Sequence, residues 1–351
     1  MRRRIASTRS PRRPRARSRL KSALVLFGIL LWVPLVMGMV LYYLWAEVPY
    51  RGYDTPSILV DVPHQSVQQV LELLQEKGVL REGPFGRIYL ALTRRATKLK
   101  AGEYQFQGPM TAPQVFRKLV RGEIYYHRVT IPEGLRSAQI FPLFVKEGFG
   151  SEDEFGREFL SISRISDLDP EAVDLEGYLF PDTYALAKGT SAAEIVDLMV
   201  RHHRALWSDE WRKAGQTQGL NVRQAVTLAS LIEKETGQGG ERGLVSSVFH
   251  NRLKEGMKLQ CDPTIIYALV MRGRYRGVIT RTDLHLDSRY NTYAYGGLPP
   301  GPIANPGREA MQAALFPEPS DYLYFVSMNN GRHTFSTSLE EHNRAVDRYQ
   351  R

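Results

Sequence analysis

Cysteine is almost absent. Cys261 is the only one in 351 residues, so no disulfide can form within the chain and the fold rests on its apolar core. Nothing resembles a CxxC metal site, no HExxH occurs, and His250, His285 and His333 lack metal spacing. G-x-S-x-G, P-loop and G-x-G-x-x-G motifs in their required contexts are missing too, which argues against hydrolase-elbow, nucleotide and dinucleotide chemistry. No internal repeat is visible. No acidic residue precedes Glu47, whereas Arg2, Arg3, Arg4, Arg9, Arg12, Arg13, Arg15, Arg17, Arg19 and Lys21 do. Those ten account for the whole net charge of +10, and the remaining Lys and Arg equal the 37 Asp and Glu. The body is formally neutral, which speaks against a nucleic-acid partner, since that wants basic residues on a folded face.

Charge is missing altogether from Ala23 to Leu44, ALVLFGILLWVPLVMGMVLYYL, and about 20 apolar residues suffice to cross a bilayer as a helix. Pro34 is tolerable in such a span. No A-x-A-like cleavage site follows it; Tyr42, Tyr43, Leu44 and Trp45 read as an aromatic belt at the outer interface. The basic arm before the span puts the N-terminus in the cytoplasm and everything after about Glu47 outside. Residues 1–22 are thus an arm, 23–45 a single transmembrane helix and 46–56 a linker.

The exported part reads as α+β in two pieces. Residues 57–128 form a small module. SILVDVP is strand-like, and Ser66 caps a helix with Val67, Val70, Leu71 and Leu74 at helical spacing and Gly78 as its stop. A second helix is expected from Gly86 to Leu99, then a strand at AGEYQF (101–106) and a helix capped by Thr111. Residues 129–351 form a larger domain with helices expected at 137–147, 152–161, 192–205, 221–236, 241–254, 308–315 and 338–350, and a strand at YLYFVS (322–327). The loop 290–307, YNTYAYGGLPPGPIANPG, is too rich in Pro and Gly for regular structure, and ordered loops of that length tend to be functional.

One stretch raises a chemical question. LASLIEKETGQGGER carries Glu233 and Glu235 two residues apart. At 100° per residue Ala225, Leu228, Leu231, Ile232 and Glu235 share a face, while Glu233 falls with Val226 and Ser230. A carboxyl on a buried stripe loses hydration, and the helix C-terminus ahead of Gly237 disfavours its charge further. Both raise its pKa, as a general acid requires. The alternatives are a frayed helix end that lets Glu235 reach water, or a salt bridge to Arg242 or Arg252. Asp262 precedes Pro263, where it could simply cap a helix of Thr264–Leu269. Asp283, His285 and Asp287 alternate as a solvated loop or a site. Tyr178, Phe180, Tyr184, Tyr290, Tyr293 and Tyr295 are either stacking walls for sugar rings or packing.

Several blocks in order carry a resemblance: IPEG (131–134), EGYLFPDTY (176–184), ASLIEKET (229–236), FHNRL (249–253), LQCDPTIIYAL (259–269), YNTY with GLPPGPIANPG (290–307), and YLYFV with GRHTFSTSLEEHN (322–343). They are similar to the endolytic murein transglycosylases of the MltG (YceG-like) type. The resemblance implies an inner-membrane anchor, a LysM-like subdomain over 57–128 and a catalytic domain over 129–351. It places the essential acid at Glu235, whose dipeptide with Thr236 is similar to the Glu–Ser pair of other lytic transglycosylases, and implies no cofactor or metal. Cys261 departs from the pattern, where a small polar residue such as Thr is expected. The implied reaction cuts the β-1,4 bond between N-acetylmuramic acid and N-acetylglucosamine and leaves a 1,6-anhydro end. Gln260, Asp262, Asn291, Tyr293 and His333 are candidates for holding sugar and polarising Glu235, with Glu176 and Tyr178 as further cleft candidates. The implied partners are peptidoglycan strands and, from the elongation machinery, the membrane-bound synthases.

Overall fold

The structure, a computed structural model, describes residues 16–236 and 239–350. Most of the basic arm and the expected helix stop at Gly237 lie outside the described residues. The chain separates into two compact units, Met1–Tyr125 and Tyr126–Arg351, three residues before the sequence-based boundary. The reason is pairing: HRVT belongs to a strand whose partner lies at residues 183–187. The architecture is mixed α+β with one N-terminal apolar helix.

In the first unit α1 (Ala16–Ala46) contains the stretch Ala23–Ala46, long and apolar enough to cross a membrane. Antiparallel strands β1 (Ser57–Val62) and β2 (Gly102–Gln107) enclose α2 (Val67–Glu76) and α3 (Phe85–Leu92), and α4 (Ala112–Arg121) follows. Ser66 and Thr111 cap α2 and α4 with reciprocal capping boxes from Gln69 and Gln114. The expected helix Gly86–Leu99 ends early. The Thr93 hydroxyl donates to the Tyr89 carbonyl, Arg94 turns to φ +52°, and only a 3-10 turn at Ala96–Lys98 remains. Trp45 also departs from the interfacial-belt expectation. It is buried in this unit's core near Phe85 and Phe116, and its indole N–H donates to the Arg81 carbonyl at 3.1 Å. The linker is no free tether either: Tyr50 bridges Met110, and Gly52 N–H donates to Gly78.

The second unit is built around one buried helix. β3 (Tyr126–Thr130) pairs with β4 (Thr183–Ala187), and α5 (Ser137–Lys146), α6 (Glu152–Phe159) and α7 (Ala192–Arg204) pack on one flank. The α8 segment (Asp209–Thr217), capped by Ser208, has no counterpart in the sequence reading; few of its residues are apolar, and Trp211 anchors it. Next come α9 (Val222–Glu235), α10 (Arg242–Lys254), α11 (Asp262–Met271) and α12 (Arg308–Leu315). The hairpin β5 (Tyr324–Ser327)–β6 (His333–Ser336) and α13 (Leu339–Tyr349) close the chain. Residues 225–232 of α9 are buried without interruption. A helix apolar all round must be covered on all sides, and α12, α10, α8 and α11 supply the cover. Asn221 caps α9 with Gln224 as the reciprocal partner. Thr236 ends it by leaving helical backbone (φ −99°, ψ 110°), its hydroxyl donating to the Ile232 carbonyl.

Candidate active site

Glu233 and Glu235 take opposite fates at the end of α9. The Glu233 side chain is only 6% exposed, pairs with Arg242 at 3.2 Å and accepts the Gly307 N–H at 2.9 Å. It fastens the proline–glycine loop to α9 rather than lying on a solvated face. The pairing with Arg242 considered for Glu235 thus belongs to Glu233. Glu235, one residue before the cap, is partly buried at the molecular surface. Burial pushes its carboxyl up to about 7, and the nearby Asp262 pushes the same way. A hydrogen bond from the Cys261 thiol, a larger influence than Asp262, and the charge of Arg252 pull in the opposite direction. The thiol is buried and raised well above its usual range, so it stays a donor.

Arg252 is the fixed charge of the site. It is buried, donates from Nε to the Leu323 carbonyl at 2.6 Å and from Nη1 to the Leu259 carbonyl at 2.8 Å, and lies over the Tyr324 ring at 5.1 Å. These bonds tie α10, the turn before α11 and the start of β5 to one guanidinium. Sequence reasoning missed it as a site residue, although Val245, Val248, Phe249 and Arg252 form a stripe that ends in a charge, the same signal that selected Glu235.

The expected sugar-binding residues divide. Asp262 is the first residue of α11 rather than its cap; Cys261 holds the cap position, and Asp262 is exposed. Its Oδ1 accepts the Tyr293 hydroxyl at 2.7 Å, and Tyr293 is electrostatically coupled to Glu235. Gln260 is exposed with φ +51°, and its Oε1 accepts from Arg252 at 3.5 Å. These residues gather around Glu235. The side chain of Asn291 is fully buried and donates to the Leu284 and Leu286 carbonyls while accepting the Tyr293 N–H, so it positions Tyr293 from behind. His333 is held by Glu241, which accepts from its backbone N–H and contacts Nδ1 at 2.8 Å.

Glu176 and Tyr178 are enclosed. Glu176 accepts from Ser137 N–H and Oγ and from Asn305 Nδ2, and burial pushes it up to about 7. The Tyr178 hydroxyl donates to Asp169, itself paired with Arg223. Both build the scaffold beneath the loop. Asn305, which the sequence reading passed over, bonds Leu135, Leu179 and Glu176 at once. The largest cavity, about 930 Å³, lies at the other end of α9, lined among others by Asn221, Arg223, Gln224 and Thr227. There Arg223 is paired and His250 contacts the Ala314 carbonyl at 2.9 Å, so the chemistry does not follow the volume.

Fold and site define a mixed α+β protein with an N-terminal apolar helix and a raised carboxyl, beside a buried arginine, at the end of a buried helix. The chain belongs to the YceG-like family, whose model matches residues 60–348. An endolytic murein transglycosylase of Bacillus subtilis is 31% identical over 86% of this chain and 87% of its own. One from Streptococcus pneumoniae is 29% identical over 87% of this chain, which spans 60% of that longer protein. The crystal structure of a yceG-like protein from Listeria monocytogenes covers 83% of this chain and 99% of its own at 34% identity, with a TM-score of 0.56.

Proposed function

We propose that the chain is an endolytic murein transglycosylase whose acid–base residue is Glu235. The observation that carries this is a carboxyl raised to about 7 at the end of α9, protonated in part at neutral pH and only partly buried. Glu235 protonates the glycosidic oxygen between N-acetylmuramic acid and N-acetylglucosamine as that bond to C1 breaks. The carboxylate then accepts the proton of the muramic C6 hydroxyl while its oxygen closes on C1. Atoms balance without water, and one carboxyl serves both steps. Arg252 lies where it eases the transient charge on Glu235, and Tyr293 and Asp262 border the sugar.

A hydrolase would need a second carboxylate to activate water. Asp262 is near enough to be weighed, but its Oδ1 is engaged by Tyr293. The test is to incubate the full-length protein and Glu235→Gln with uncrosslinked strands and weigh the products. Anhydro ends from the parent and none from the variant support the reading. Ends one water heavier would sink it in favour of a hydrolase.

The anchor supports a wider reading. With the basic arm in the cytoplasm, the chain after α1 is extracytoplasmic and reaches nascent strands near the inner membrane, so cleavage ends glycan growth beside the synthases. The β1–α2–α3–β2 order of the first unit fits a LysM-like subdomain, supported by its antiparallel pairing of first and last elements.

A further inference from the structure

A second pocket, of about 270 Å³, is lined by chain neighbours of Glu235 and Asp262 and has no part in the reaction described above. Lys234 precedes Glu235 and Pro263 follows Asp262, so two of its walls are one residue from the site. Arg136 supplies a second cation, Tyr267 and Tyr275 two phenol rings, and Ile266 an aliphatic surface; no Asp or Glu lines it. Among the described residues neither cation is ion-paired, in contrast with Arg204, Arg223 and Arg242 of the same unit. Lys234 uses one donor on the Gly134 carbonyl at 3.2 Å, which leaves two. Arg136 acts on Glu176 only through a weak long-range charge effect, and the Glu176 oxygens are already held by Ser137 and Asn305. The pocket is therefore positive, partly apolar and small.

The proposed substrate has a matching group in the matching place. The muramic sugar at the scissile bond bears on C3, two carbons from the C1 at which the anhydro ring closes, a lactyl-linked peptide that begins with small and acidic residues. Resting on the transglycosylase reading, we propose that the pocket of Arg136, Lys234, Pro263, Tyr267 and Tyr275 is a subsite for the carboxylate-bearing start of that peptide. Two charge-assisted contacts hold the carboxylate, and the phenol rings and Pro263 cover the small side chains. The volume admits about two residues and no more, being below the range usual for larger ligands. The enzyme then selects strands that still carry their peptides over stripped ones.

Two measurements on the full-length protein in detergent test this. In the first, kcat/KM for anhydro-end formation is compared on peptide-bearing and amidase-stripped strands, for the parent and for the Arg136→Gln/Lys234→Gln double variant. The expected result is a parent preference for peptide-bearing strands that falls about tenfold in the variant, with Arg136→Lys retaining most of it. Equal rates of the parent on both substrates, or an unchanged ratio in the variant, overturn the subsite. In the second, the dipeptide L-alanyl-γ-D-glutamate is titrated into both proteins without any reaction. Binding that weakens about tenfold in the double variant and with added salt supports the subsite. No binding, or equal binding, overturns it. Should the parent form no anhydro ends at all, the transglycosylase reading fails by itself, and the titration still decides whether the pocket holds an acidic peptide.

Discussion

The two ends of α9 contrast in room and in chemistry. The N-terminal end borders about 930 Å³ of space, where Arg223 is engaged by Asp169 and His250 by a carbonyl. The C-terminal end borders a smaller pocket of about 270 Å³, but holds a carboxyl displaced to about 7 against a buried arginine. Volume is a fair first guide to small-molecule sites. A polymer that lies across a surface needs an exposed edge and one perturbed group, so electrostatic imbalance is the better guide.

Breaking the chemical end should have the largest effect. Glu235→Gln is expected to lower anhydro-end formation about 10³-fold with the fold intact by circular dichroism. A variant that cuts as well as the parent would move the acid elsewhere. Glu233→Gln, two residues away, should do the reverse. It keeps the product but loses about 2 kcal/mol through Arg242 and the Gly307 loop, seen as a melting point lower by roughly 4–8 °C. Loss of product without loss of stability would exchange the two roles.

Arg252 sharpens the comparison. Arg252→Met removes a charge that favours the Glu235 carboxylate, so the alkaline limb of the rate profile should move to higher pH, and Arg252→Lys should restore part of it. An unmoved limb in a folded variant would separate Arg252 from the acid. Stability should respond to pH as well. Glu235 and Glu176 titrate near 7 in the folded chain against an ordinary 4.5, so the folded state binds more protons between those values. Their contribution is present below pH 4.5 and is lost as pH rises through 7, and Glu235→Gln should flatten part of that slope in thermal melts. The smallest effect belongs to the far end of α9. Among the described residues the buried Thr227 hydroxyl has no partner, so Thr227→Val should keep activity within about twofold and stabilise by up to about 1 kcal/mol. A large loss of activity there would return the big cavity to the catalytic account.

Much of the architecture was legible because it is local. Caps at Ser66 and Thr111 and apolar periodicity placed α2, α4 and α9 within a residue or two. The expected helix over 86–99 failed since propensity continues past Leu92, while the need to return for β2 pairing ends the helix there. Trp45 was read as facing lipid headgroups because a single sequence carries no sign of the core that Phe85 and Phe116 offer it. In the site, the stripe singled out Glu235, but the same rule left Arg252 unnoticed, and Glu176, Tyr178 and Asn291 look equally functional in sequence.

What the sequence determined by itself is whatever depends on neighbours three or four residues away or on bulk composition: an uncharged span behind a basic arm, the helices and their caps, and a carboxyl that ends an apolar stripe. What only the tertiary structure decided is how each polar group is satisfied. Glu233 meets Arg242, Glu176 meets Ser137 and Asn305, and Arg252 meets the carbonyls of Leu259 and Leu323. Those partners come from distant segments, and in a buried environment the partner, more than the residue type, sets whether a carboxyl holds the fold together or keeps a proton to give.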